Sequence, residues 1–101
     1  MSYSVYILYS EKANKYYIGH TENVNRRLEE HNNPIRNSKF TAKYIPWILL
    51  ASFPIFETRS DAMQAEKFIK KQKNRKFIEE LIENKDDQKK IKIVLTHSPV
   101  G

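Results

Sequence analysis

The stretch Tyr16-Tyr17-Ile18-Gly19-His20-Thr21-Glu22-Asn23 is where chemistry is most readily placed in this sequence. A tyrosine-rich strand pattern stops there at a glycine and passes at once into a capped helical pattern. Gly19 has no side chain, so a backbone or a phosphate can come close to it, and a helix start just beyond it points free amide donors toward an anion. Upstream, Ser4-Val5-Tyr6-Ile7-Leu8 offers a second tyrosine in a second short strand. In the helix that follows, Val24 and Leu28 define the inward stripe at about 100° per residue, and Arg27 and His31 fall beside it, one turn apart. Burying a guanidinium is costly unless an anion compensates it; the alternative is that both residues snorkel outward or that His31 caps the helix end. Further along, Glu66 lies one step from the centre of a stripe made by Ala62, Ala65 and Ile69. A carboxylate there needs a cation such as Arg27, as a structural salt bridge, or a divalent metal. One acidic ligand is too few for a cage made of protein alone, but it suits magnesium, which keeps waters and shares its shell with a substrate phosphate.

The elements that must position these groups can be read in chain order. Val5, Ile7 and Tyr9 alternate with Tyr6 and Leu8, as in a half-buried strand. Glu11 to Lys15 is polar and short enough to be a hairpin connection, and Tyr16 to Gly19 returns as its partner, so that Tyr6 and Tyr17 share a face if the register pairs them. Tyrosines are also simply good strand residues. The first helix is expected to take Thr21 as N-cap, with Glu22 in its first turn, and to end near Asn32-Asn33-Pro34. From Asn33 to Ile45 runs a connection in which Arg36, Lys39 and Lys43 alternate with Phe40 and Tyr44. That mixture suits phosphates and stacked bases, and equally an ordinary solvated loop.

Trp47 to Phe56 reads as a mainly apolar third strand, central or pressed under helices, with Pro54 demanding an edge or a bulge on one side. Thr58-Arg59-Ser60-Asp61 has the form of a capping box opening the second helix. Lys70, Lys71 and Lys73 make the densest positive run, at the join with a third helix capped by Asn74 and packed through Phe77, Ile78, Leu81 and Ile82. The run is either a backbone contact for DNA or a solvated corner. Residues 85–90 read as a charged linker, Ile91-Lys92-Ile93-Val94-Leu95 as an added edge strand or an arm, and 96–101 as a loose end.

Composition narrows the class. A chain of 101 residues supports one domain, and 18 Lys plus Arg against 12 Asp plus Glu give a net charge of +6, which favours a polyanionic partner such as nucleic acid. Absence of cysteine excludes disulfides and thiolate metal sites and suits the cytosol. No secretory signal pattern is expected, and the longest apolar run, Ile45 to Phe56, is broken by Pro46 and Pro54 and falls short of the ~20 residues of a spanning helix.

Val5-Tyr6-Ile7, Tyr17-Ile18-Gly19, Arg26-Arg27-Leu28-Glu29-Glu30-His31, Pro46-Trp47 and Glu66, in that order, resemble the GIY-YIG nuclease domain. The likeness is to its small stand-alone members of UPF0213 type, related to the nuclease domain of the excision-repair subunit UvrC. It spans roughly residues 4–82, so that 1–84 would form the nuclease-like domain and 85–101 an extension. The first triplet is Ser4-Val5-Tyr6 where the family name has Gly-Ile-Tyr.

The resemblance implies an α+β fold: a small three-stranded antiparallel sheet flanked by about three helices. It makes Tyr6 and Tyr17 active-site tyrosines, Arg27 the phosphate-binding arginine, His31 a site histidine and Glu66 the ligand of Mg²⁺ or Mn²⁺, with Gly19 and His20 as auxiliaries. The implied function is metal-dependent hydrolysis of DNA phosphodiesters in repair or recombination, in the cytoplasm. Lys39, Lys43, Lys70, Lys71 and Lys73 would contact the nucleic acid. A chain of this length leaves no room for a separate targeting domain, so it would act nonspecifically, read DNA structure or borrow a protein partner. The alternatives are a catalytically silent nucleic-acid-binding module and a structural protein whose charge is incidental.

Overall fold

A computed structural model describes residues 2–35 and 40–96 of the chain. Strand β1 (Tyr3–Ser10) and strand β2 (Lys15–Thr21) form an antiparallel hairpin. Its four-residue turn is closed by Asn14 in the left-handed region (φ 52°), a conformation that asparagine tolerates better than most residues. Helix α1 (Val24–Asn32) follows, then a short 3₁₀ turn (Phe40–Tyr44), strand β3 (Trp47–Phe56), and helices α2 (Arg59–Lys71), α3 (Arg75–Glu83) and α4 (Gln88–Thr96). The sheet order is β2-β1-β3 and both pairings are antiparallel. This is the expected α+β architecture, with four helices in place of about three.

The central strand is β1, not the apolar third strand. Val5, Tyr6, Ile7 and Leu8 are all buried because both faces of β1 are covered. On one face Val5 and Ile7 join Ile18, Ala51, Phe53 and the inner sides of α2, α3 and α4 in the larger core. On the other, Tyr6 and Leu8 pack with Trp47, Tyr17, Val24 and Leu28, beneath α1. β3 is an edge strand, which accommodates Pro54: the β1–β3 register shifts between the Val5–Phe53 and Tyr3–Phe56 pairs, where Pro54 would otherwise owe the ladder a donor.

Local signals account for most helix boundaries. Thr58 Oγ1 accepts the Asp61 amide at 3.1 Å and starts α2, and Ala62, Ala65 and Ile69 form its buried stripe as the spacing predicts. Asn74 Oδ1 accepts the Lys76 amide at 2.9 Å and starts α3. Helix α1 is capped by Asn23, two residues later than expected. Thr21 is still paired with Ser4 in the sheet, and its hydroxyl accepts the Asn23 amide, so Thr21 ends the strand while Asn23 Oδ1 takes the Arg26 amide.

The expectation of an edge strand or arm at Ile91–Leu95 is corrected by α4. Asp87 Oδ1 accepts the Lys90 amide at 3.1 Å and opens this helix, which buries Ile91 and Leu95, one turn apart, in the larger core and leaves Ile93 65% exposed. Residues 97–101, read from sequence as part of a loose end, lie outside the described residues. No helix among the described residues is long and apolar enough to cross a membrane.

Candidate active site

Register decides which groups meet. In the hairpin Tyr6 lies opposite Gly19, and Tyr17 lies opposite Leu8. Opposed residues point to the same face, so Tyr6, Tyr17 and Gly19 share the face under α1. The phenol of Tyr6 lies across Gly19: a Cβ built there would stand 2.5 Å from Tyr6 Cζ and closer still to the hydroxyl. Glycine is required at this position by the close approach of a ring, the kind of reason the sequence suggested, with an aromatic side chain in place of backbone or phosphate.

Helix α1 adds two groups from above. His31, only 6% exposed, shares a hydrogen bond of 3.2 Å between its Nε2 and the Tyr6 hydroxyl. Its ring meets Tyr17 edge-on, with centroids 4.6 Å apart, while Tyr6 and Tyr17 stack at 6.3 Å. Arg27, one turn earlier, donates to Glu30 at 3.0 Å and keeps a third of its side chain exposed. Burial pushes the Tyr6 phenol up to about 12, with the neighbouring Tyr17 adding to the rise; the Arg27 guanidinium, close enough to hydrogen-bond the phenol, works in the opposite direction. Arg27 in turn is held more firmly protonated, first by its bond to Glu30 and, against the cost of burial, by the nearby phenol.

Glu66 approaches from the other side of the sheet. His20 points to the α2 face, since its neighbours in β2 alternate with it, and its Nδ1 donates to Glu66 Oε1 at 2.7 Å. Lys70, one turn further along α2, donates to Glu66 Oε2 at 2.7 Å and places its ammonium 6.0 Å from the Tyr17 ring centroid. Because β2 is an edge strand of the sheet, this lysine bridges around that edge from Glu66 to Tyr17. Glu66 is near enough for its charge to raise the Tyr6 phenol slightly. The carboxylate therefore sits at the margin of the tyrosine cluster, and its partners are the His20 ring and the Lys70 ammonium, not the Arg27 considered from sequence.

The remaining expected residues divide. Lys70 and Lys73 line a cleft at the β2 edge; Lys71, on the same helix end, does not line it. Lys43 lies over the Tyr44 ring at 5.3 Å, and Tyr44 continues through Trp47 to Tyr17 in a chain of edge contacts, so Lys43 stands at the far end of the aromatic cluster. Lys39 is outside the described residues. Two features had no sequence signal strong enough to find them. Asn32 grips the backbone of buried Trp47, donating to its carbonyl at 2.9 Å and accepting from its amide at 2.6 Å, which ties the end of α1 to the start of β3. Arg59, first residue of α2, joins Arg26, Arg27, His20, Thr21 and Glu22 around a polar hollow of about 340 Å³. Its separation along the chain from the other two arginines hid that cluster.

Comparison with known proteins points to one family. The model of the GIY-YIG catalytic domain matches residues 2–79. A UPF0213 protein of Listeria welshimeri is 42% identical over 74 residues, covering 73% of this chain and 80% of the relative. One from Bacillus licheniformis is 37% identical over 82 residues (78% and 81%), and one from Streptococcus pneumoniae is 33% identical over 87 residues (85% and 86%). No solved structure matches the chain significantly.

Proposed function

Since the chain belongs to the GIY-YIG family of nuclease domains, we propose that it is a metal-dependent endonuclease that hydrolyses DNA phosphodiesters, with the tyrosine cluster as its active site. The observation that carries this reading is the convergence of Tyr6, Tyr17, Arg27 and His31 on one face of the sheet, with Glu66 at its margin.

In hydrolysis, a water loses a proton as it attacks phosphorus, the bond to the departing oxygen breaks, and that oxygen takes up a proton. Arg27 would hold the scissile phosphate: its guanidinium has five N–H donors, more than the Glu30 contact uses. Of the two phenols Tyr17 is the one water can reach, whereas Tyr6 is 1% exposed and its proton is hard to remove. That division favours Tyr17 as the group that orients the attacking water and, in its phenolate form, takes up the water's proton. Tyr6, bonded to His31 and seated on Gly19, then positions the cluster and offers a hydroxyl to a phosphoryl oxygen.

Glu66 would be the single protein ligand of Mg²⁺ or Mn²⁺. Each of its oxygens retains a lone pair beyond the bond to His20 or Lys70. Such a donor set fits a cation that keeps most of its water. A bound divalent ion supplies positive charge for the departing oxygen.

Incubation of supercoiled and branched DNA with the protein and Mg²⁺ or Mn²⁺, against an EDTA control, tests the reading. Tyr17→Phe and Glu66→Ala are each expected to lower nicking at least a hundredfold, on the scale of ~10²–10⁴ for a proton-transfer group, with unchanged circular dichroism. Undiminished cleavage by both variants discards the assignment. Salt-sensitive DNA binding with no cleavage of any substrate leaves the silent binding module in its place.

A further inference from the structure

Beside the tyrosine cluster, β2, the end of α2 and the start of α3 border a cleft of about 400 Å³ that shares Tyr17 and Lys70 with that cluster. Its floor is apolar and aromatic, from Tyr16, Ile18, Ile69 and Ile78, and its rim carries Lys15, Lys70, Lys73 and Arg75. No carboxylate is among its described lining residues. Glu79 stands outside it, 3.7 Å from Arg75 and within hydrogen-bond reach of the Tyr16 hydroxyl. The start of α3, which opens on the cleft, has no acidic residue in its first turn, so the positive end of the helix is uncompensated there. Arg75 is fixed over the Tyr16 ring at 4.8 Å and donates to the backbone oxygen of Asn14 at 3.0 Å, so this wall is ordered.

We propose that the cleft is a nucleotide subsite: it takes one unstacked nucleotide of the bound strand, its base against Ile78 and the Arg75 guanidinium that lies on the Tyr16 ring, and its phosphate at Lys73. The volume lies within the ~300–1,000 Å³ of small-molecule sites. An apolar floor beneath a cationic rim matches a flat ring joined to a phosphate better than it matches either alone. Tyr17 and Lys70 are the link to the catalytic face: both line the cleft, and Lys70 also holds Glu66. The subsite rests on the nuclease reading only for the statement that its occupant neighbours the scissile phosphate. Base recognition at this spot requires that the nucleotide be out of the helical stack, because the floor lies below the rim that holds the backbone.

The test uses the full chain in EDTA, so that binding is read without cleavage. Fluorescence anisotropy with a labelled 12-nucleotide single strand, carrying one abasic position moved stepwise along it and anchored by a duplex clamp at one end, is expected to show one position where affinity falls roughly five- to hundredfold, the range of one base–aromatic stack. Tyr16→Leu should flatten that dependence on position, and Lys73→Gln should leave it in place while reducing the slope of log K against log salt by about 0.7. An affinity indifferent to the abasic position in the native protein overturns the subsite, and this arm needs no variant to fold. Cleavage assays separate the two proposals. A chain that nicks DNA yet ignores the abasic position loses only the subsite, whereas one that senses the position but never cleaves loses only the nuclease reading.

Discussion

The contact between Tyr6 and Gly19 sets up a test in which packing and function can be separated. In Gly19→Ala the new methyl would stand 2.5 Å from Tyr6 Cζ, well inside van der Waals contact, and Tyr6 has nowhere to retreat: it is 1% exposed, stacked on Tyr17 and bonded to His31. Overpacking of a filled core costs about 1–3 kcal/mol. Against it stands a gain of about 0.5–1 kcal/mol from replacing glycine within a strand. The net expectation is a loss of roughly 1–2 kcal/mol, which at a urea m-value of about 1.5 kcal/mol/M moves the midpoint down by about 1 M. Tyr6→Leu removes the ring that causes the clash, so in that background Gly19→Ala should be neutral or slightly stabilising. The double-mutant cycle should then return a coupling of about 1–3 kcal/mol. Urea unfolding of the four proteins, followed by circular dichroism, gives every number needed. A Gly19→Ala variant as stable as the parent, or a coupling near zero, would show that the ring does not lie over the glycine and would remove the geometric basis of the site.

Three further outcomes follow from the same packing. The folded-state Tyr6 phenol titrates near 12 against an ordinary 10.0; the raised value means the folded chain keeps this proton longer than the unfolded one. The stability it contributes is complete below pH 10 and is lost as pH climbs from 10 toward 12, by about 3 kcal/mol at most, and a Tyr6→Phe variant in parallel urea titrations should lack that part of the decline. Asn32→Ala removes the side chain that bonds both the amide and the carbonyl of buried Trp47, an expected cost of about 2–4 kcal/mol, or a melting point lower by some 10–20 °C for a domain of this size; a shift of only a degree or two would mean that these two bonds do not tie α1 to β3. Ile91→Ala should cost about 2–4 kcal/mol if α4 is part of the core, whereas Ile93→Ala, on the exposed side, should move the urea midpoint little.

What could be read from the sequence, and what could not, follows from the range of the interactions involved. The caps at Thr58 and Asn74 act within three residues, so they were legible, as were the hairpin and the buried stripe of α2. Residues 91–95 were misread because a spacing of four places Ile91 and Leu95 on one face of a strand and of a helix alike. Within five residues the two periods cannot be told apart, and the β-branched Ile93 and Val94 tilted the reading toward strand. The deciding group was Asp87, taken for linker charge but acting as the helix cap. Thr21 illustrates the opposite case, a good cap residue already committed to strand pairing with Ser4.

The site was legible as a set of residue types and illegible as a set of partners. Sequence order named Tyr6, Tyr17, Arg27, His31 and Glu66, yet it could not say that the sheet itself runs between Glu66 and the phenols. The alternation of β2 sends Tyr17 to one face and His20 to the other, and only an edge strand lets groups on opposite faces meet. Lys70 is the side chain that makes that passage, at 2.7 Å from Glu66 and 6.0 Å from the Tyr17 ring. From sequence it was one lysine in a basic run. In the fold its neighbour Lys71 lines neither the cleft nor the carboxylate, although the two residues have the same charge and adjoin in the chain. Charge composition identifies the class of partner, because it sums over the surface. Which cation does the work depends on a helical rotation of about 100° between neighbours, and that rotation acquires meaning only once β2 is known to be the edge against which α2 lies.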